Sequence, residues 1–133
     1  SSGCGHCCTV AVQIRIIAAQ YNLPGTFAPI ADYELLESAV NTVREKGLTV
    51  RAGNVLTSDV FYNDDPTVND RWRKMEVLAV EMEAAALYMN AARAGKKALC
   101  MLTISDHLYK DEKLSARERQ LGFDNMIQIA LDM

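Results

Sequence analysis

Residues 97–104, Lys-Ala-Leu-Cys-Met-Leu-Thr-Ile, constrain the fold more than any other stretch of this chain. The run has the length of a strand and is apolar at successive rather than alternate positions. Successive apolarity fits a strand covered on both faces, as strands are between layers of helix. The flanking sequence supplies such helices. Asp32–Lys46 carries Leu35, Leu36, Ala39, Val40 and Val43 at three- and four-residue spacing, which makes one apolar stripe. Asp32 is placed to cap it and Gly47 to stop it. Leu48–Ala52 is β-prone and continues through Asn54–Thr57. Tyr62–Pro66 reads as a polar loop and Asn69–Met75 as a short helix. Val77–Val80 reads as a strand that runs into Glu81-Met82-Glu83. The helix former 84–93 follows, and Gly95 ends it. Ser115 and Glu118 have the spacing of a capping box. They open a last helix, from about Ala116 to Leu131, with Phe123, Met126, Ile127 and Ala130 on one face. Helices alternating with strands make this an α/β chain, and no linker divides residues 21–133.

Residues 1–20 differ in character, with no acidic side chain among them. Cys4-Gly5-His6-Cys7 has the spacing of a dithiol redox motif. That chemistry needs a strand in front of the first cysteine, and only Ser-Ser-Gly stands there. No second ligand pair at finger spacing completes a zinc site either. Redox and metal roles are therefore set aside. The net charge of −3, with no basic stripe interleaved with aromatics, argues against a nucleic-acid surface. No apolar run approaches the roughly 20 residues of a membrane-spanning helix. No signal peptide is evident, so the expected compartment is the cytoplasm.

Chemistry in α/β sheets gathers beyond the carboxyl ends of the strands. Two acidic groups stand at such positions. Glu81 and Glu83 flank Met82 at a strand-to-helix junction, and would point the same way if the strand persisted. The alternative is that they cap the helix that follows, where negative charge suits the positive end. From pattern alone the two readings are equally good. Asp106 follows the apolar run directly. Burial there would raise its pKa and let it hold a proton for general-acid work. The alternative is an aspartate that closes a turn with Ser105 and His107. Arg119, near the start of the last helix, is within reach of that loop, or is a solvated helix charge. Phe61 stands at a strand mouth, where an aromatic either stacks on a flat heterocycle or joins the core.

Four strings then add a resemblance. Thr57-Ser-Asp-Val-Phe-Tyr62, Val80-Glu-Met-Glu-Ala-Ala85, Thr103-Ile-Ser-Asp-His107 and Glu118-Arg-Gln120 resemble the DeoD-type, bacterial hexameric purine nucleoside phosphorylases, in that family's order and spacing. The resemblance covers residues 21–133. It implies the C-terminal part of a nucleoside-phosphorylase-type mixed sheet flanked by helices. It also implies reversible phosphorolysis of purine (deoxy)ribonucleosides to free base and (deoxy)ribose 1-phosphate. Phe61 would stack on the purine, and Val80 and Met82 would line the base and sugar pocket. Glu83 would accept hydrogen bonds from the ribose hydroxyls, and Glu81 would help form the site. Asp106, with Ser105 beside it, would protonate purine N7, assisted by Arg119. No metal or resident cofactor is implied, inorganic phosphate being a co-substrate, and the family's assembly is a hexamer.

Departures from the family pattern carry expectations of their own. The glycine-rich strand end and the arginines that hold phosphate in the family have no counterpart here, so this chain alone is expected to turn over little or nothing. Shifting a codon series for Cys-Thr-Asp-Ser-Asn-Tyr by one base yields Val-Gln-Ile-Arg-Ile, the run at Val12–Ile16. Residues 1–20 are accordingly read as an atypical segment, frameshifted or non-native. Two other readings remain in play. A purine nucleosidase of the same superfamily would use water, but lacks the Glu-Arg-Gln string. Uridine phosphorylases lack the Ser-Asp pair. A catalytically inactive nucleoside-binding remnant is the alternative of a different class.

Overall fold

The computed structural model describes residues 5–13, 16–109 and 115–133, and the side chains of 5–16, 116, 118 and 119 lie outside the description. Its elements are β1 (Gly5–Gln13), α1 (Ile16–Ala19), α2 (Tyr33–Glu45), β2 (Val50–Thr57), α3 (Val68–Lys74), β3 (Ala79–Glu81), α4 (Ala84–Arg93), β4 (Met101–Thr103) and α5 (Ala116–Asp132). The described strands form one sheet in the order β3-β2-β1-β4. The two pairings β1–β2 and β2–β3 are parallel, and β1–β4 is antiparallel. The sheet thus takes in residues 5–13, which the sequence reading set apart from the domain. The Cys4–Cys7 side chains lie outside the described residues. Among the described residues no three His, Cys, Asp or Glu side chains gather as metal ligands, and no helix is long and apolar enough to cross a membrane.

Local chemistry sets the boundaries of α2. The Asp32 carboxylate accepts from the Leu35 amide at 3.1 Å, which satisfies one of the helix's unpaired N–H groups. Gly47 takes φ +66°, the left-handed conformation that lets the chain leave the helix. Ala39, Thr42 and Val43 are the buried face. Burial along β2 is uneven: its start is largely exposed, and Val55, Leu56 and Thr57 at its end are buried. Val55 packs with Ala84, Ala85 and Tyr88 of α4, and Ala31, Ala79, Ala98, Cys100 and Leu102 close around them. The core therefore lies against the carboxyl ends of β2 and β3. The small side chains at the start of α4 allow that helix to sit close to the sheet.

The apolar run 97–104 departs from expectation. Only Met101–Thr103 pairs in the ladder, as an edge strand, and each of those residues is half-buried. The composition of the run nevertheless has a structural cause. Ala98, Cys100 and Leu102, at every second position, pack against the core. Thr103, on the other face, meets Gly122 and Met126 of α5. The segment is sandwiched, and ahead of the ladder its backbone bonds elsewhere: the Asp32 amide donates to the Ala98 carbonyl at 2.9 Å and the Cys100 amide donates to the Tyr88 hydroxyl at 3.0 Å.

α5 also turns a different face inward. Ile129 is buried and Gly122 and Met126 are half-buried, whereas Phe123, Ile127 and Ala130 are exposed. Only Met126 of the expected stripe faces the sheet. The rotation follows from Gly122, where a Cβ would stand 2.8 Å from the Thr103 methyl. A glycine permits the close approach and so selects which side of the helix makes it. The helix begins at Ala116, as the capping-box spacing predicts, but the Glu118 side chain lies outside the described residues.

Val55 is 1% exposed at the centre of this core. Val55→Ala should lower the unfolding free energy by about 2 kcal/mol, the lost transfer energy plus a residual cavity. Urea denaturation with an unchanged m value would register it.

Candidate functional site

The carboxyl ends of β2 and β3 lie side by side, with Thr57 opposite Glu81 in the parallel register. Strand β3 stops at Glu81, so the alternation that would align Glu81 with Glu83 does not continue. Glu81 turns back over the start of α4. Its Oε2 accepts from the Glu83 amide at 2.6 Å and the Ala84 amide at 2.5 Å. Its Oε1 accepts from the Thr57 hydroxyl. Thr57 Oγ1 in turn accepts from the Ala85 amide at 3.0 Å. Three successive amides at the helix start are thus satisfied by one carboxylate and one hydroxyl. This is the capping alternative for Glu81, carried out from a neighbouring strand.

Glu83 sits at the N-cap position and is exposed, and its Oε2 accepts from the Met82 amide at 3.2 Å. Met82 and Val80 are exposed beside it. On the adjacent strand Ser58 forms a tight turn. Its amide donates to the Glu81 carbonyl at 2.8 Å, its hydroxyl donates to the Val60 carbonyl at 2.8 Å, and the Val60 amide donates back to that hydroxyl at 3.2 Å. The turn delivers Phe61 and Tyr62 to the surface, 76% and 87% exposed, with their rings edge-to-face at 4.8 Å between centroids. Phe61 is therefore not a core aromatic. Within the turn one carboxylate oxygen of Asp59 is buried and accepts no hydrogen bond. Val80, Glu81, Met82, Glu83 and Phe61 thus share one end of the sheet.

Ser105 and Asp106 lie at the other end. β4 runs antiparallel to β1, and Thr103 pairs with Gly5, which pairs with Val50 at the beginning of β2. Glu81 pairs with Thr57, at the finish of β2. The offset along the strands is about 23 Å at ~3.3 Å per residue. Asp106 is also exposed, which corrects the expectation of a desolvated carboxyl. The half-buried edge strand before it does not enclose the loop. Ser105 donates to Asp106 Oδ2 at 2.9 Å and the Tyr109 amide donates to His107 Nδ1 at 3.1 Å, the turn-closing alternative. Tyr109 carries the Arg73 guanidinium over its ring at 4.5 Å. Arg119 belongs to the first turn of α5, three residues before Gly122 at Thr103, so its backbone is on the Asp106 side of the sheet. Its side chain lies outside the described residues.

Residues 8–130 match the phosphorylase superfamily. The chain belongs to that superfamily. Among its superfamily relatives it is similar to the DeoD-type purine nucleoside phosphorylase of Psychromonas ingrahamii, 53% identical over 106 residues covering 80% of this chain and 45% of that one. The corresponding protein of Oceanobacillus iheyensis is 51% identical over 107 residues, covering 80% and 46%. The DeoD-type 2 purine nucleoside phosphorylase of Vibrio cholerae is 46% identical over 106 residues, covering 80% and 45%. The chain spans about half the length of the curated relatives it matches. Superfamily membership agrees with the mixed helix-and-strand architecture and its small parallel sheet. The sequence alone assigns Thr57 no role, although Thr57 opens the Thr57–Tyr62 string. A hydroxyl after two apolar strand residues, Val55-Leu56, was the available signal.

Glu81→Ala removes the acceptor for two helix-start amides and should destabilise the chain by about 1–3 kcal/mol. Glu83→Gln, at an exposed position, should stay within about 0.5 kcal/mol of the parent. Chemical denaturation of both variants side by side tests the difference.

Proposed function

We propose that this chain carries the nucleoside-binding part of a purine nucleoside phosphorylase. The reaction is reversible phosphorolysis of purine (deoxy)ribonucleosides. The N-glycosidic bond breaks, a phosphate oxygen bonds to the sugar carbon, and the base leaves. Purine nucleoside and inorganic phosphate are the substrates, with no resident cofactor. The active assembly is a homo-oligomer, a hexamer, working in the cytoplasm. One observation carries the reading: an exposed Glu83 carboxylate held on a capped strand-to-helix junction, with Val80, Met82 and the surface aromatic Phe61 at the same sheet end. The relatives, purine nucleoside phosphorylases by name, support the substrate class.

The chemistry suits these residues. Cleavage builds positive charge on the sugar and negative charge on the base. A carboxylate that accepts from ribose hydroxyls fixes the sugar, and an aromatic face holds the purine plane. Protonation at N7 neutralises the departing base, and Asp106 is proposed for it, with Ser105 beside it and Arg119 assisting. That assignment rests on the Thr103–His107 and Glu118–Gln120 strings. As the strands lie here, a purine gripped at Glu83 is beyond the reach of Asp106 on the same sheet. The same separation favours a second reading, in which the chain binds nucleoside without turning it over.

Inosine should bind in calorimetry, and Glu83→Gln should weaken it about tenfold or more, the worth of a hydrogen bond to a charged group. Joined to the part of the relatives' length that it does not span, the protein should release hypoxanthine only when phosphate is present. Asp106→Asn should then slow release about 10²- to 10⁴-fold. Release without phosphate means a nucleosidase, and binding with no release at all means the second reading.

A further inference from the structure

Thr57 is 2% exposed and has almost no surface to offer a ligand. Its place in the hydrogen-bond chain is nevertheless specific. It accepts from the Ala85 amide, and it donates to Glu81 Oε1, whose partner oxygen takes the amides of Glu83 and Ala84. Glu81 therefore spends three of its roughly four acceptor sites on the protein. What remains for a ligand at this junction is the Glu83 carboxylate, whose single described bond is from the adjacent Met82 amide.

We infer that Thr57 is a positioning residue for the nucleoside site: by orienting the Glu81 carboxylate it fixes the backbone of Glu83, and so sets the angle at which the Glu83 carboxylate meets the sugar. The inference rests on the nucleoside-binding reading and assigns the two glutamates different work. Glu81 organises the junction and Glu83 contacts the ligand. The geometry gives three reasons. Thr57 and Glu81 are register partners in parallel strands, so their side chains emerge on one face. The Ser58 amide donates to the Glu81 carbonyl, which locks the two strand ends together just beyond that pair. And β3 is only three residues long, too short to hold the turn by its own ladder. A hydroxyl that donates to one group while accepting from another polarises both bonds, so the chain of bonds is stiffer than its members taken singly.

The test compares Thr57→Val, which keeps the shape and removes the hydroxyl, with Thr57→Ser, which keeps the hydroxyl, in the full chain. Two readouts are used, amide hydrogen exchange at Glu83, Ala84 and Ala85 without ligand, and inosine affinity. Thr57→Val should speed exchange at those three amides at least about tenfold relative to the core amides of α2, and weaken inosine about tenfold. Thr57→Ser should restore both to within about twofold of the parent. In a Glu81→Gln background Thr57→Val should add little further loss of affinity, because the two act in one chain. Unchanged exchange at the three amides in Thr57→Val overturns the inference. So does full inosine affinity in Thr57→Val when Glu83→Gln has lost it. If Glu83→Gln itself binds inosine like the parent, the sugar-binding reading fails, and the exchange data still decide whether Thr57 holds the junction.

Discussion

The carboxylate of Glu81 is the joint on which the β2–β3 end of this sheet depends. A helix that starts directly off a strand has unpaired amides at its first turn and a partial positive charge there. Here no side chain in the first turn of α4 answers them. The acceptors come instead from the last residue of β3 and the last residue of β2. That arrangement ties two strands and a helix through polar groups beside an apolar core of Val55, Ala84, Ala85 and Tyr88. The short side chains of Ala84 and Ala85 matter to both layers. They let the helix approach the sheet, and the approach brings the Ala85 amide to Thr57.

One consequence is a division of labour at the Glu-Met-Glu turn. Two carboxylates two residues apart look equivalent in sequence, yet one is committed to the backbone and the other is presented to solvent. The opposite end of the sheet is organised differently. There an edge strand, a serine–aspartate turn and the first turns of α5 converge, held by Thr103 against Gly122 and by Tyr109 under Arg73. The four family strings are thus divided between two sheet ends, Thr57–Tyr62 with Val80–Ala85, and Thr103–His107 with Glu118–Gln120.

Legibility in the sequence followed the range of the interaction. The limits of α2 are readable because each end is set locally, by Asp32 with Leu35 three positions on and by Gly47 at the other end. The strand-to-helix junction at Glu81 was readable for the same reason, down to the capping alternative. What the sequence concealed was relational. Apolar residues at 97–104 report coverage on two faces, but they do not say which strand is the neighbour or in which direction it runs. The antiparallel partner, β1, lies in a segment that the sequence reading sets apart from the domain, although its Thr9-Val10-Ala11-Val12 run is β-prone. The inward face of α5 was misjudged because glycine scores as neutral in a hydrophobic stripe, while Gly122 is the point of closest approach. Asp106 was expected in a dry setting on the strength of the preceding residues alone, and coverage of the strand did not extend to the loop. Thr57 acts through Glu81, 24 positions later, and through the Ala85 amide, 28 positions later, and no local pattern marks either pairing.

Gly122 has a bearing on the loop that carries Ser105 and Asp106. The separation between α5 and β4 is set where no side chain intervenes, opposite a β-branched threonine that has little rotational freedom to give way. The helix and the strand are therefore gauged against each other by the width of a missing methyl group. The loop leaves the sheet two residues beyond that contact, so its height above the sheet follows the gauge. Descendants of this sequence that exchange Gly122 for a larger residue would have to lift the helix, and the acidic turn would ride up with it.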